Sequence, residues 1–295
     1  MTSADGRAGD PSSPRPLPSA PTLSLPTGAC DAHCHVFGPA ARFPFSPDRT
    51  YTPEDAGFDD LLALHNHLGI GRGVIVQASC HGTDNAALLD ALRRGGGRYA
   101  GVAMVADDVT DDELARLHDA GVRGVRFNFV AHLGGPPALD RLRRCVDRIR
   151  PLGWHLVVHL DAADLQAQLG LLRSLPLAVV IDHMARMTSA QGPASGPFRD
   201  LLGLLADDRF WVKISCADRF SSGGPPYDDM APMVDAVMAV AAERVLWGTD
   251  WPHPNVAIPP DDGGLVDLVG RLLPTSEQRR MVLVDNPARL YPFAR

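Results

Sequence analysis

The sequence predicts a single α/β fold, a (β/α)8 barrel of the TIM type, and three observations carry that expectation. Short β-branched runs alternate with longer amphipathic ones from Ala29 almost to the end of the chain. No change of composition divides the chain, although its length could hold two ordinary domains. Polar, chemistry-bearing residues end strand after strand, as a site built at the C-terminal mouth of a barrel requires. An open doubly wound sheet, the fallback, would instead gather its ligand at one switch point.

The expected strands are Cys30–Phe37, Gly73–Ser79, Tyr99–Val105, Val122–Phe129, His155–Leu160, Ala178–His183, Phe210–Ser215 and Arg244–Thr249. Each is a run of β-branched or aromatic residues bounded by turn formers. Helical periodicity falls between them at Pro53–Leu68, Asp84–Arg94, Asp111–Ala120, Ala138–Arg150, Ala163–Ser174, Pro197–Ala206 and Asp228–Ala241. Asp111, Asp112 and Glu113 suit a helix N-terminus, where the dipole favours negative charge. Gly264–Leu273 and Ser276–Leu283 read as closing helices, and Asp285-Asn286-Pro287 starts a further short turn. Gly38–Thr52, rich in Pro and aromatics, would be a long first loop over the mouth. Residues 1–28, rich in Pro, Ser and Ala, read as a flexible leader without a secretory apolar core, leaving 29–295 for the barrel.

Composition excludes several classes. A net charge of −7 gives no reason to expect nucleic acid or an anionic membrane as partner. No stretch approaches the roughly 20 apolar residues of a membrane helix. The five cysteines are scattered, odd in number and without CxxC spacing, which suggests reduced thiols in the cytoplasm. Self-assembly into a homo-oligomer stays open.

The chemistry concentrates at strand ends. His33 and His35 alternate with Cys34, so both imidazoles project from one side of the first strand. His159, His183 and Asp250 end the fifth, sixth and eighth strands. Four imidazoles and a carboxylate at one mouth make a mononuclear divalent-metal site, zinc with manganese as the alternative, in which Asp250 also takes a proton from water. A two-metal site would want a bridging carboxylate or carboxylated lysine. The fourth strand carries Arg126 and Asn128 instead, and the only lysine, Lys213, sits on strand seven. Arg126, Arg186 and Arg219 lie at or just past strand ends, where a guanidinium fork suits carboxylate or sulfonate. Local ion pairing of each is the competing reading, weakened by an acid-poor mouth. Tyr51, Ser79 and Ser215 can bond an oxygen-rich ligand, whereas Cys34, Cys80 and Cys216 read as packing residues and His65, His67, His118 and His155 as structural.

These residues resemble the amidohydrolase superfamily, within it the branch of 2-pyrone-4,6-dicarboxylate hydrolases and 4-sulfomuconolactone hydrolases. The likeness rests on Asp31–Pro39, Arg42–Phe45, Tyr51-Thr52-Pro53, His81–Asn85, Arg123–Asn128, Ile181–Arg186 and Trp247–His253, in that order. It implies lactone hydrolysis, with Asp250 deprotonating the attacking water, His183 and its neighbours polarising the carbonyl, and Arg126, Arg186 and Arg219 holding the substrate's acid groups. Two departures stand out. The pyrone dicarboxylate hydrolases work without metal and carry tyrosine where this chain has His159, and they have a further arginine at the position of His132, placed here among the substrate-binding residues.

The resulting expectation is a metal-dependent hydrolase of a small anionic lactone from aromatic-compound catabolism, of the sulfomuconolactone type. Metal-independent hydrolysis of the pyrone dicarboxylate is the first alternative, and a metal-dependent aromatic-acid decarboxylase the second. An anion-binding protein on an inactive barrel would have no need of the full His and Asp complement.

Overall fold

The computed structural model describes residues 15–293. Eight parallel strands lie in sequence order, β1 Cys30–Cys34, β2 Arg72–Val76, β3 Tyr99–Ala103, β4 Val122–Asn128, β5 His155–His159, β6 Val179–Ile181, β7 Phe210–Lys213 and β8 Val245–Leu246. The chain after β8 returns to β1 and closes the barrel. The Ala32 amide donates to the Trp247 carbonyl at 2.8 Å, and the Asp250 amide to the His33 carbonyl at 2.8 Å. Gly248 makes that approach possible, since a Cβ there would overlap the backbone nitrogen of His33.

The outer layer comprises α1 Phe58–Leu68, α2 Ala86–Arg94, α3 Asp111–Asp119, α4 Leu139–Ile149, α5 Ala162–Ser174, α6 Gly196–Leu205, α7 Ala231–Ala241 and α8 Asp262–Leu272. Each expected helix is present with its ends adjusted for local reasons. Residues 53–57 stay out of α1 because Ala56 pairs with Phe37 in an antiparallel bridge, and Gly57 caps the helix. At α3 the Thr110 hydroxyl accepts from the Glu113 amide at 3.1 Å, ahead of the acidic first turn. The helix after Ser276 runs to Arg280 and continues as a π turn over Met281–Asp285. Among the described residues no helix is long and apolar enough to cross a membrane.

Alternation along the strands separates two apolar layers. Val74, Val76, Ala100, Val102, Val157, Val180, Trp211 and Leu246 fill the barrel with Tyr291 from the C-terminal segment. Val125, Leu156, Val158, Ile181 and Val212 face the helices. Strand β1 breaks the alternation once. Cys30 and Ala32 belong to the inner layer, yet Cys34 belongs to the outer one, and the pairing with β2 shifts register between Asp31 and Cys34. That irregularity re-aims His33 and His35 into the barrel mouth.

Of the expected leader, residues 1–14 lie outside the described residues. From Arg15 onward the segment is strapped to the barrel rather than free. Ser19 N–H donates to Asp261 Oδ1 at 2.8 Å, Thr22 and Leu23 N–H donate to Asp267 Oδ1 at 2.8 Å, and His67 Nε2 lies 3.0 Å from the Pro18 carbonyl. Prolines keep the strap extended, and carboxylates of α8 and its cap satisfy the amides that an extended chain leaves open.

Candidate active site

Three departures from regular backbone aim side chains at the mouth. Past β6, His183, Met184, Ala185 and Arg186 all have φ between 48° and 57°, one left-handed turn made without glycine. Cys216, past β7, has φ 62°, and Asp250, past β8, has φ 64°. Left-handed backbone costs roughly 1–2 kcal/mol per non-glycine residue, so the surrounding packing must hold these residues in place.

Asp250 is the hub. Its Oδ1 lies 3.3 Å from His35 Nε2, 3.4 Å from His33 Nε2 and 4.0 Å from His183 Nε2. Its Oδ2 accepts from Arg219 Nη2 at 2.7 Å. Burial alone would raise this carboxyl, but the Arg219 guanidinium, the His35 bond and the other imidazoles hold it well below the usual carboxylate range. His33 and His183 are neutral. Burial, then the Lys213 charge, lowers His33 to about 4, and burial followed by His33 pushes His183 well below its ordinary value. His35 Nδ1 donates to the Val76 carbonyl at 2.7 Å, which turns Nε2 towards Asp250 Oδ1. His183 Nδ1 sits 2.7 Å from Ser215 Oγ and 3.2 Å from Cys216 Sγ, so the cysteine expected only to pack also touches a site histidine.

The donor set fits one divalent ion. His33, His35 and Asp250 each offer a ligand atom within 4.8 Å of the others, and so do His183, Cys216 and Asp250. His33 Nε2 is buried without a hydrogen-bond partner, and two imidazoles with a carboxylate suit zinc or manganese. His159 is in neither set. Its Nδ1 lies 3.3 Å from Asn128 Oδ1, the residue in register with it on β4, and its Nε2 lies 3.5 Å from Arg186 Nη1. Burial and the neighbouring Arg126 charge lower it to about 3. It flanks His183, with ring centroids 5.6 Å apart, but faces the arginines.

Above this floor opens a cavity of about 250 Å³ whose lining includes Tyr51, Ser79, Arg126, His132, Arg186 and Arg219, all expected from sequence to touch substrate. The mouth is less acid-poor than the sequence suggested. Arg219 pairs with Asp250, and Arg186 Nε lies 2.9 Å from Asp161 Oδ1. Arg126 is different. It is buried, and among the described residues no carboxylate pairs with it. His132 is exposed on the short turn Ala131–Leu133 at the rim.

Sequence reasoning missed two residues beneath the floor. Lys213 and Asp182 are fully buried, with Lys213 Nζ 2.9 Å from Asp182 Oδ1 and 2.9 Å from His33 Nδ1. The available signal was parity, because Lys213 shares the inward face of β7 with Trp211 in an otherwise apolar strand. The histidines read as structural lie outside the cavity lining. His65 bridges Asp31 and Tyr99 at 3.2 and 3.0 Å, His118 accepts from Trp154 Nε1 at 2.9 Å, and His155 packs edge-on against Tyr291.

With this geometry in place, the comparisons agree in direction. The chain is 48% identical over 284 residues to a 2-pyrone-4,6-dicarboxylate hydrolase of Comamonas testosteroni, covering 93% of each. It is 41% identical over 278 residues to a 4-sulfomuconolactone hydrolase of Rhizobium radiobacter, covering 92% of this chain and 93% of that one. A crystal structure from Acinetobacter baumannii, described as a probable 2-pyrone-4,6-dicarboxylic acid hydrolase with citric acid bound, superposes with a TM-score of 0.78 at 25% identity, over 90% of this chain and 100% of that one. The amidohydrolase family model matches residues 30–293, and the chain belongs to the amidohydrolase family.

Proposed function

We propose that this amidohydrolase hydrolyses a small anionic lactone of aromatic-compound breakdown, one bearing carboxylate or sulfonate groups. The observation that carries the reading is the pairing of an ionised, buried Asp250 with an overhead cavity whose buried Arg126 lacks a carboxylate partner. Two relatives are named for hydrolysis of acid-bearing lactones, and a structural neighbour holds a polycarboxylate. Five buried free cysteines support work in a reducing compartment such as the cytoplasm.

Arg219 fixes one carboxylate oxygen of Asp250 and leaves Oδ1 to accept the proton of the attacking water. The water oxygen bonds to the lactone carbonyl carbon, the ring C–O bond breaks, and the proton is returned to the departing oxygen. Without an ion, the His33 Nε2–H is the group on the floor placed to stabilise the developing oxyanion. Arg126 and Arg186 hold the acid groups, the latter by exchanging Asp161 for substrate. His33, His35, His183 and Asp250 would hold a divalent ion, zinc or manganese, which would polarise the carbonyl and lower the pKa of water towards about 7. The metal-free version of the same hydrolysis is the second reading, favoured by the position of His159 outside both donor sets.

The test is turnover of 2-pyrone-4,6-dicarboxylate, 4-sulfomuconolactone and a neutral lactone of similar size, each with and without chelator. Hydrolysis of one or both acidic lactones, at least about tenfold above the neutral one, is expected from one charge-assisted contact. Equal hydrolysis of the neutral lactone, or release of CO₂ in place of ring opening, would overturn the proposal.

A further inference from the structure

We propose that Lys213 is a positioning residue that assigns His33 its tautomer, holding the imidazole proton on Nε2, and that the Lys213–Asp182 pair thereby sets how readily the site takes a divalent ion. The inference rests on the reading of His33 as part of the reaction floor.

Lys213 is the only lysine of the chain and is fully buried inside the barrel. Its Nζ contacts Asp182 Oδ1 at 2.9 Å, an ion pair in an interior where a lone charge would be costly. The same Nζ lies 2.9 Å from His33 Nδ1. An ammonium has three N–H groups and no lone pair, so at that distance Nδ1 must accept. A neutral imidazole carries one proton, which is therefore on Nε2. That N–H points to the cavity floor, 3.4 Å from Asp250 Oδ1 without an aligned bond, free to donate to a carbonyl oxygen.

Metal ligation asks the opposite of His33, since it uses the Nε2 lone pair with the proton on Nδ1. The acceptor for an Nδ1–H exists, Asp182 Oδ1 at 3.3 Å, but Lys213 approaches Nδ1 more closely. Lys213 and Asp182 therefore compete for one nitrogen. The lysine favours a proton-donating His33, and the aspartate favours a ligating one.

The experiment compares wild type with Lys213→Met and with Lys213→Met/Asp182→Asn. The double variant removes both charges together, avoids an unpaired buried carboxylate, and keeps an amide oxygen to accept from Nδ1. The readouts are the His33 tautomer, from ¹⁵N ring shifts of chelator-treated protein assigned with His33→Gln, and zinc affinity by competition with a chromophoric chelator. The Nε2–H tautomer is expected in wild type and Nδ1–H in the double variant, with zinc bound about 10- to 100-fold more tightly. An Nδ1–H tautomer in wild type, an unchanged tautomer in the double variant, or zinc binding no tighter than wild type would overturn the proposal. If Lys213→Met alone fails to fold, the double variant and the wild-type spectrum still decide. Neither readout uses lactone turnover, so failure of the substrate assignment remains distinguishable from failure of this one.

Discussion

Two histidine-bearing strand ends that look equivalent in sequence meet different partners. His33 and His35, past the irregularity in β1, crowd Asp250 and share its oxygen at 3.3–3.4 Å. His159, at the end of β5, faces Asn128 and Arg186 and reaches no carboxylate of the floor. Inward parity brings His159 to the mouth and the irregularity in β1 brings His33 and His35, but position around the ring decides the neighbour. Strands β1 and β8 adjoin at the barrel closure and gather imidazoles around Asp250 on the cavity floor, whereas β4, β5 and the turn after β6 bring arginines to its wall. Alternation shows which residues enter a barrel mouth, and strand order shows which of them meet.

The largest effect that breaks this division is Asp250→Asn. The amide keeps the shape and cannot accept the water's proton, so kcat should fall on the order of 10²–10⁴-fold with an unchanged circular dichroism spectrum. Near-native turnover would remove Asp250 as the base. On the wall, Arg186→Met should raise KM for acidic lactones about tenfold to a hundredfold and leave kcat within a fewfold, as loss of a charge-assisted contact implies. Arg219 sharpens the contrast, because it bonds Asp250 and not a free acid site. Arg219→Met should lower kcat more than it raises KM, and steady-state kinetics showing only a KM effect would return it to the wall.

A smaller effect is expected at His159. His159→Tyr should leave zinc content unchanged and alter kcat/KM by less than about tenfold, because His159 meets Arg186 and Asn128 and no shared donor atom. Loss of bound zinc in His159→Tyr, by elemental analysis, would move it to the floor.

The smallest effect concerns stability rather than rate. His33, His155 and His159 sit at about 4, 3 and 3 in the fold, chiefly through burial, against an ordinary value of 6.5. Between those values the unfolded chain binds protons that the native state does not, so stability is full above about pH 6.5 and is lost as pH falls. Asp182 and Asp250, held low against the effect of burial, add a loss of the same sign at lower pH. Urea midpoints of chelator-treated protein should drop steadily from pH 7 to pH 5, and a flat profile would contradict neutral burial of these rings.

Much of this was legible in the sequence for identifiable reasons. Strand order and the mouth location of His33, His35, His183 and Asp250 follow from period-two alternation and polar strand endings. The left-handed turn His183–Arg186 was not legible, because no glycine marks it. The break in β1 was hidden because the expected facing of His33 and His35 is right whether or not Ala32 lies inward. Lys213 stands out as the chain's single lysine, but its partner Asp182 precedes His183 at a strand end and gives no sign of its own. The strap from Arg15 depends on carboxylates more than 240 residues away, beyond any local pattern.

The most direct test is the preference for an acidic lactone over its neutral methyl ester, measured as a ratio of kcat/KM in wild type and in Arg126→Met. Arg126 is the buried guanidinium of the wall without a carboxylate partner, and the floor does not include it. Wild type should favour the acid, and Arg126→Met should lose about 10- to 100-fold on the acid while hydrolysing the ester as before. Equal loss on both substrates, or no preference in wild type, would contradict a site divided into an acid-binding wall and a hydrolytic floor.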